Sequence, residues 1–442
     1  NISMQQRALP IAYIATAGNQ AQTGLAAIGQ SLLLDDRVSA LGLHIEGLGD
    51  ITAFEELALA AKKAGKGIVA IKVGQSEQAQ TAAISHTASL TGSEVGARAV
   101  LKRLGIARVE SLPEFMETLK LLHFCGPLAG NSVASISCSG GEASLIADIG
   151  LSYDVQFPEL TKTQRIGLRA ALGPMVALAN PLDYHTYIWG DGQAIGVMIS
   201  AMMQGEQDIT ILIVDFPRKD RCSLAAWDCV LEGAAIAVEK SSSPLAFATT
   251  LSENLPEEVA EKLMALSVLP LHGLNESLAA IEASHFIAIA RKATPLPIVI
   301  SKPSNDPILI DETDSKELLS AYGLDVPQRA LASSPEEATS LGDVIGYPLV
   351  LKGRGIAHKT EMGAVKVGLT SFSELKVAVS QMDVQTFLVE EMVSGAVCEL
   401  LVGVARDPVH GFVLTVAAGG VMAELLGDQI SQILPVSRED VV

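Results

Sequence analysis

Short apolar runs alternate along this chain with stretches whose apolar residues recur every three to four positions. The runs are IAYIAT (11–16), ALGLHI (40–45), GIVAIKV (67–73), SVASIS (132–137), ITILIVDF (209–216) and LAFATTL (245–251). Each is short, almost free of charge and bounded by Gly, Asn, Ser or Pro, the pattern of a strand covered on both faces in a parallel sheet. Between them, AFEELALAAKKAG (53–65) and PEFMETLKLLHF (113–124) carry the period of crossover helices. Strand–helix alternation predicts a parallel α/β architecture, doubly wound.

Punctuation divides the pattern. CGPLAGNS (125–132) separates two α/β domains, expected over 1–126 and 127–292. The proline-bearing ATPLPIVISKPSNDPILIDET (293–313) reads as a linker, 293–314, ahead of a third domain over 315–442. That domain opens with SKELLSAYG (315–323), stopped by Gly, and SPEEATSLGDVIG (334–346), started by Ser-Pro-Glu-Glu.

Composition narrows the function classes. Of 442 residues 49% are hydrophobic but only 4% aromatic, and no run approaches the roughly 18 apolar residues of a membrane helix. The net charge of -19 argues against nucleic-acid and anionic-membrane partners. The deficit is uneven: 1–125 holds 11 basic and 11 acidic residues, 126–300 holds 10 and 19, and 301–442 holds 10 and 20. An anionic ligand is therefore expected in the first third. The scattered cysteines, at 125, 138, 222, 229 and 398, suit a reducing cytoplasm. The chain starts on Asn1 and stops at Val442 just after a helix-start signal, so a longer protein is expected.

Four segments set functional side chains where strands give way to helices. In AISHTASLTGSE (83–94), Ser85 and Thr87 flank His86, and their hydroxyls suit a phosphorylated imidazole; they equally suit a surface loop with capping hydroxyls. In ISCSGGEASLIAD (136–148), Ser139, Gly140 and Gly141 form either a phosphate cradle at a helix start or an ordinary tight turn. In HIEGLGD (44–50), Glu46 ends a strand, placed to orient an imidazole or simply to face solvent. The fourth, YPLVLKGRGIAHKTEMGAVKVGL (347–369) with FLVEEMVSG (387–395), offers Lys352, His358 and Lys359 to nucleotide phosphates and Glu390 and Glu391 to a ribose, or is an amphipathic sheet with surface lysines.

Taken together, SHTASLTGS (85–93), SCSGGEAS (137–144), NPLDY (180–184), IGYPLVLKGRGIAHKTEMGAVKVGL (345–369), VEEMVSGAVCELLVGVARDPVHG (389–411) and AAGGVMAELLGD (417–428) resemble the NDP-forming acyl-CoA synthetases, the family of ADP-forming acetyl-CoA synthetase and succinyl-CoA synthetase. The resemblance runs nearly the whole chain. It implies two flavodoxin-like or Rossmann-like domains followed by part of an ATP-grasp domain, with a CoA-binding domain ahead of Asn1 and the rest of the ATP-grasp fold, with its metal ligands, beyond Val442. It also implies a reaction, acid + ATP + CoA to acyl-CoA + ADP + phosphate, with Mg2+. His86 matches the phosphorylated histidine, Glu46 its orienting carboxylate, and Ser139-Gly140-Gly141 a helix start that cradles the phosphohistidine. His358 matches a second phosphate-shuttling histidine, and Lys352 and Lys359 fall where phosphates are held. Glu399, Asp407, Glu424 and Asp428 stand as carboxylates near the nucleotide, with no metal ligand named.

The acid is expected to be a small carboxylic acid. Asp183, Tyr184, Tyr187 and Trp189 in NPLDYHTYIWGD (180–191) are the candidate pocket, and the aromatic faces suit an onium acid, as for the family's ATP-dependent dimethylsulfoniopropionate lyase. The aromatics equally suit packing against a neighbouring domain. A rival class is a CoA- or nucleotide-sensing module of a protein acetyltransferase. A homo-oligomer, dimer or tetramer, is expected.

Overall fold

The computed structural model describes residues 2–76, 78–79, 92–300, 308–354, 363–420, 428–438 and 440. The chain forms two compact units, one of Asn1–Ser301 with Val402–Val416 and Gln429–Val442, the other of Lys302–Leu401 with Ala417–Asp428.

The first unit opens with a parallel sheet, β1 (Ala40–Ile45), β2 (Gly67–Lys72) and β3 (Ala107–Val109), in that order. All six residues of β2 are buried, Lys72 included. Helix Ile51–Lys63 is started by the Asp50 side chain, which accepts from the Thr52 and Ala53 amides. A second parallel sheet holds β4 (Val133–Ser137), β5 (Leu182–Asp183), β6 (Ile209–Ile213), β7 (Leu245–Thr249) and β8 (Leu269–His272), in the order β5-β4-β6-β7-β8. The chain leaves β4 first to one side and then to the other, so the topological switch lies between β4 and β6.

Helix Leu112–Cys125 serves both sheets. Phe115 and Leu122 pack with Val69, Ile71 and Val109, while Leu121 packs with Ile209 and Leu269. Its buried Glu117 and Lys120 pair at 2.7 Å, and the Lys120 ammonium also donates to the Pro270 carbonyl at 2.7 Å. Arg7 reaches Glu117 at 2.9 Å, tying the N-terminal segment to the same helix.

The second unit carries an antiparallel sheet of β9 (Arg329–Ala332), β10 (Leu349–Gly353), β11 (Val365–Leu369) and β12 (Phe387–Glu391), in the order β11-β10-β12-β9. Burial alternates along β10, and Leu349, Leu351, Phe387 and Val389 pack with Leu375 and Ala378 of helix Phe372–Gln381. Further along, β13 (Leu400–Asp407), β14 (Gly411–Ala418) and β15 (Gln429–Ile433) form a sheet in that order. Val413 and Ile433 are buried in one cluster with Leu43, Phe54 and Val100, which joins these stretches to the first unit.

The α/β class and the alternation of parallel strands and helices hold. One expected strand does not form. Residues 11–16 run without strand pairing, line a cavity of about 740 Å³ beside β1, and leave β1 an edge strand. Tyr13 there donates its hydroxyl to Asp35 at 2.5 Å, outside any ladder. Among the described residues no helix is long and apolar enough to cross a membrane.

Candidate functional site

In an open parallel sheet the crevice at the switch point, beyond the carboxyl ends of the strands, is where ligands are received. Here β4 and β6 flank that crevice. β4 ends at Ser137, Cys138 and Ser139 follow, and helix Gly140–Gly150 begins at once. The Ser137 hydroxyl donates to the Ser139 carbonyl at 2.9 Å and shapes the turn. Ser139 is the N-cap residue, but its side chain accepts no amide of the helix. The first turn thus keeps amide donors and roughly half a positive charge for a ligand.

Gly140 leaves room at this turn. A Cβ there would stand 3.1 Å from Oδ2 of Asp183, the last residue of β5, so the missing side chain lets this carboxylate approach the turn. Asp183 accepts the His185 amide at 2.8 Å. Asp215, just past β6, accepts the Thr250 amide at 2.9 Å and its hydroxyl at 2.5 Å. Glu142 lies in the first turn of the helix, with one carboxylate oxygen buried and without a hydrogen bond. Burial, then the negative charges of Asp215 and Asp183, push its carboxyl up to about 7. A group at that value exchanges its proton readily near neutrality. Glu142 and Asp215 escaped the reading of the sequence; the available signal was a carboxylate directly after the paired glycines.

At the carboxyl edge of the first sheet, Glu46 follows β1 and lines the cavity beside it. Its carbonyl accepts the Lys72 ammonium at 2.9 Å. Lys72 ends β2 and is 4% exposed, and burial lowers its proton affinity. A lysine closing an otherwise apolar strand was the signal that could have singled it out. Ser85, His86 and Thr87 lie outside the described residues, as do His358, Lys359 and Glu424.

In the second unit Lys352 of β10 meets Glu390 of β12 at 2.8 Å and Glu312 at 2.5 Å. Lys316 bonds to both glutamates. Burial pulls the Lys352 ammonium down, but the hydrogen bonds to Glu312 and Glu390 outweigh it and leave it above its ordinary value. Two lysines and two carboxylates balance one another, so a phosphate reaching Lys352 must displace a carboxylate. Glu391 instead braces the neighbouring segment, its carboxylate accepting the Gln328 amide at 3.3 Å and its own amide donating to the Gln328 carbonyl at 2.8 Å.

The aromatic residues of 184–189 do not converge. Tyr184 is 1% exposed within the core cluster of the second sheet, because the strand that ends at Asp183 turns its ring inward. Tyr187 is 68% exposed and tilts against His185 with ring centroids 5.4 Å apart. Trp189 meets Trp227 edge-on at 5.6 Å, and the Trp227 ring nitrogen donates to the Asp215 carbonyl at 2.9 Å. Asp407 accepts the backbone amides of Ser93, Val409 and His410. Among the described residues no group of three or more His, Cys, Asp or Glu is placed to hold a metal ion.

The family described as a succinyl-CoA ligase like flavodoxin domain matches residues 2–122, and an ATP-grasp domain matches 304–442. A trans-feruloyl-CoA synthase of an unknown prokaryotic organism is 26% identical over 96% of this chain and 62% of its own length. An ADP-forming acetate–CoA ligase of Archaeoglobus fulgidus is 25% identical over 97% of this chain and 64% of its own. The chain thus spans less than two thirds of these curated relatives. The dinucleotide forming acetyl-coenzyme A synthetase 1 of Ca. Korarchaeum cryptofilum, solved with phosphate and ADP, shares the fold with a TM-score of 0.53 at 19% identity, over 63% of this chain and 59% of that one. With these domain matches at its two ends and relatives that align along nearly all of it, the chain is similar throughout to the ADP-forming acyl-CoA synthetase superfamily.

Proposed function

We propose that this chain is the core of an ADP-forming acyl-CoA synthetase that converts a small carboxylic acid, ATP and CoA to acyl-CoA, ADP and phosphate through a phosphohistidine. His86 takes the γ-phosphoryl group as ADP leaves, and the phosphoryl group passes to the carboxylate of the acid. The CoA thiolate then attacks the acyl carbon, and phosphate departs with the bonding pair. A carried phosphoryl group removes the need to bring both half-reactions to one centre.

The observation that carries the reading is the turn at the β4–β6 switch. The open first turn of helix Gly140–Gly150 and the uncommitted Ser139 hydroxyl are donors for an anionic group. Asp183 and Glu142 beside it set a limit: two ionised carboxylates would repel a phosphate, whereas a proton held on Glu142 reduces that repulsion and can be passed to a leaving oxygen. In the second unit Lys352 and Lys316 supply positive charge for a nucleotide once Glu312 or Glu390 yields. Mg2+ would arrive with ATP and neutralise its phosphates.

An onium-binding aromatic box finds no support in the dispersed Tyr184, Tyr187 and Trp189, so the acid is proposed to be met by the donors of the Ser139 turn, with Asp183 beside it. The test is ADP release by the full-length protein over a panel including acetate, ferulate and dimethylsulfoniopropionate. Sustained release, beyond the first equivalent that phosphorylates His86, that requires both CoA and one acid and is abolished in His86→Asn supports the reading. Sustained release that ignores CoA, or survives in His86→Asn, overturns it.

A further inference from the structure

The turn between β13 and β14 is built around a buried pair that faces the start of helix Glu94–Arg103. Asp407, 8% exposed, accepts the Ser93 amide on Oδ2 at 2.8 Å, and its Oδ1 accepts the amides of Val409 at 2.8 Å and His410 at 2.9 Å. Ser93 is the helix N-cap, its hydroxyl accepting the Gly96 amide at 3.0 Å. His410 is fully buried, and its Nδ1 lies 3.1 Å from Asp407 Oδ1 without the alignment of a hydrogen bond. The ring occupies space left by two glycines. A Cβ on Gly96 would stand 2.6 Å from Nδ1, and one on Gly92, which has a φ of +64°, would collide with Cε1. Gly92 follows His86 by six positions in the chain.

We infer that Asp407 and His410 are positioning residues for phosphoryl transfer: they clamp Gly92, Ser93 and Gly96, and so fix the point from which the His86-bearing segment departs. The inference rests on His86 being the phosphoryl carrier. The Ser93 amide bonded to a carboxylate is a charge-assisted contact, stronger than a neutral one and directional. Asp407 is an anion held by hydrogen bonds from Ser93 despite its burial, and burial keeps His410 neutral against the opposing pull of Asp407 and Glu94, with Lys72 adding to the neutral form. Neither residue touches a reacting atom. Their effect is geometric, and a displacement of about 1 Å in a reacting group costs on the order of a hundredfold in rate.

The test uses the full-length protein in single turnover, following phosphoryl transfer from Mg-ATP to His86 and from His86 onward, beside steady-state KM and Tm. Asp407→Ala is expected to slow both transfers by about tenfold to a hundredfold while KM for ATP stays within about twofold. Asp407→Asn retains one acceptor oxygen and is expected to lose less, about threefold to tenfold. Unchanged transfer rates in either folded variant, or a loss confined to KM or Tm, would overturn the inference. If Asp407→Ala does not fold, Asp407→Asn decides alone by the same criterion. A wild-type protein that takes no phosphoryl group on His86 defeats the synthetase reading and the inference together; a labelled wild type with a normal Asp407 variant defeats only the inference.

Discussion

Lys352 and Glu390 stand diagonally across the β10–β12 pair, Val350 opposite Glu390 and Lys352 opposite Leu388, and meet at 2.8 Å. A diagonal pair on one face of a sheet is within reach of long side chains. Glu390 is 3% exposed, so its charge depends on Lys352 and Lys316. Removing the Lys352 charge in Lys352→Met leaves this carboxylate half-compensated and is expected to cost about 2 kcal/mol, less than a fully buried pair because Glu312 remains partly solvated. If Lys352 also meets a nucleotide, the same variant loses the rise in Tm that ADP gives the full-length protein. Thermal melts with and without ADP measure both effects.

Glu142 predicts a pH dependence of opposite sign to that of a salt-bridged acid. Its folded value of about 7 lies above the ordinary 4.5, so the folded state binds the proton more tightly than the unfolded chain. Stability from this group is present below about pH 4.5 and is lost as pH rises to about 7. With allowance for solvent screening of a partly buried group the loss is about 1–2 kcal/mol. Glu142→Gln should match the wild type at about pH 4 and exceed its stability by that amount at about pH 8. Urea unfolding at the two pH values checks this, and equal pH profiles would contradict it.

Much of the frame is legible in sequence because local physics sets it. The run ALGLHI coincides with β1, GIVAIKV overruns β2 by one residue, and Ser334-Pro335 starts a helix whose N-cap hydroxyl accepts the Glu337 amide. Residues 11–16 have the same apolar composition, yet composition does not say whether a backbone finds a partner, and here it lines a cavity instead. The directions of the aromatic side chains at 184–189 are likewise not legible from composition: Tyr184, just past the strand end, enters the core while Tyr187, three positions on, faces solvent. Asp407 and Ser93 are 314 positions apart, and no periodicity or spacing joins residues at that distance.

The buried network on helix Leu112–Cys125 gives the strongest stability prediction. Burial alone would raise the Glu117 carboxyl; the Lys120 charge and the bonds from His272 and Lys120 outweigh it and hold it at about 2. Its contribution is present above the ordinary 4.5 and lost as pH falls toward about 2. Lys120→Met strands Glu117 with Arg7 and should cost about 3–5 kcal/mol near neutral pH. Adding Glu117→Gln to that variant should recover part of the loss, because the uncompensated charge is gone. Denaturant midpoints of the single and double variants read the difference.

The synthetase reading turns on whether His86 carries phosphate. The measurement is brief exposure of the full-length protein to Mg-ATP, followed by peptide mass analysis under alkaline conditions that preserve phosphohistidine. A phosphoryl group on the His86 peptide that is lost in acid and discharged by CoA with the right acid is the predicted result. An unmodified His86 peptide from protein that nevertheless forms acyl-CoA at full rate would contradict the account.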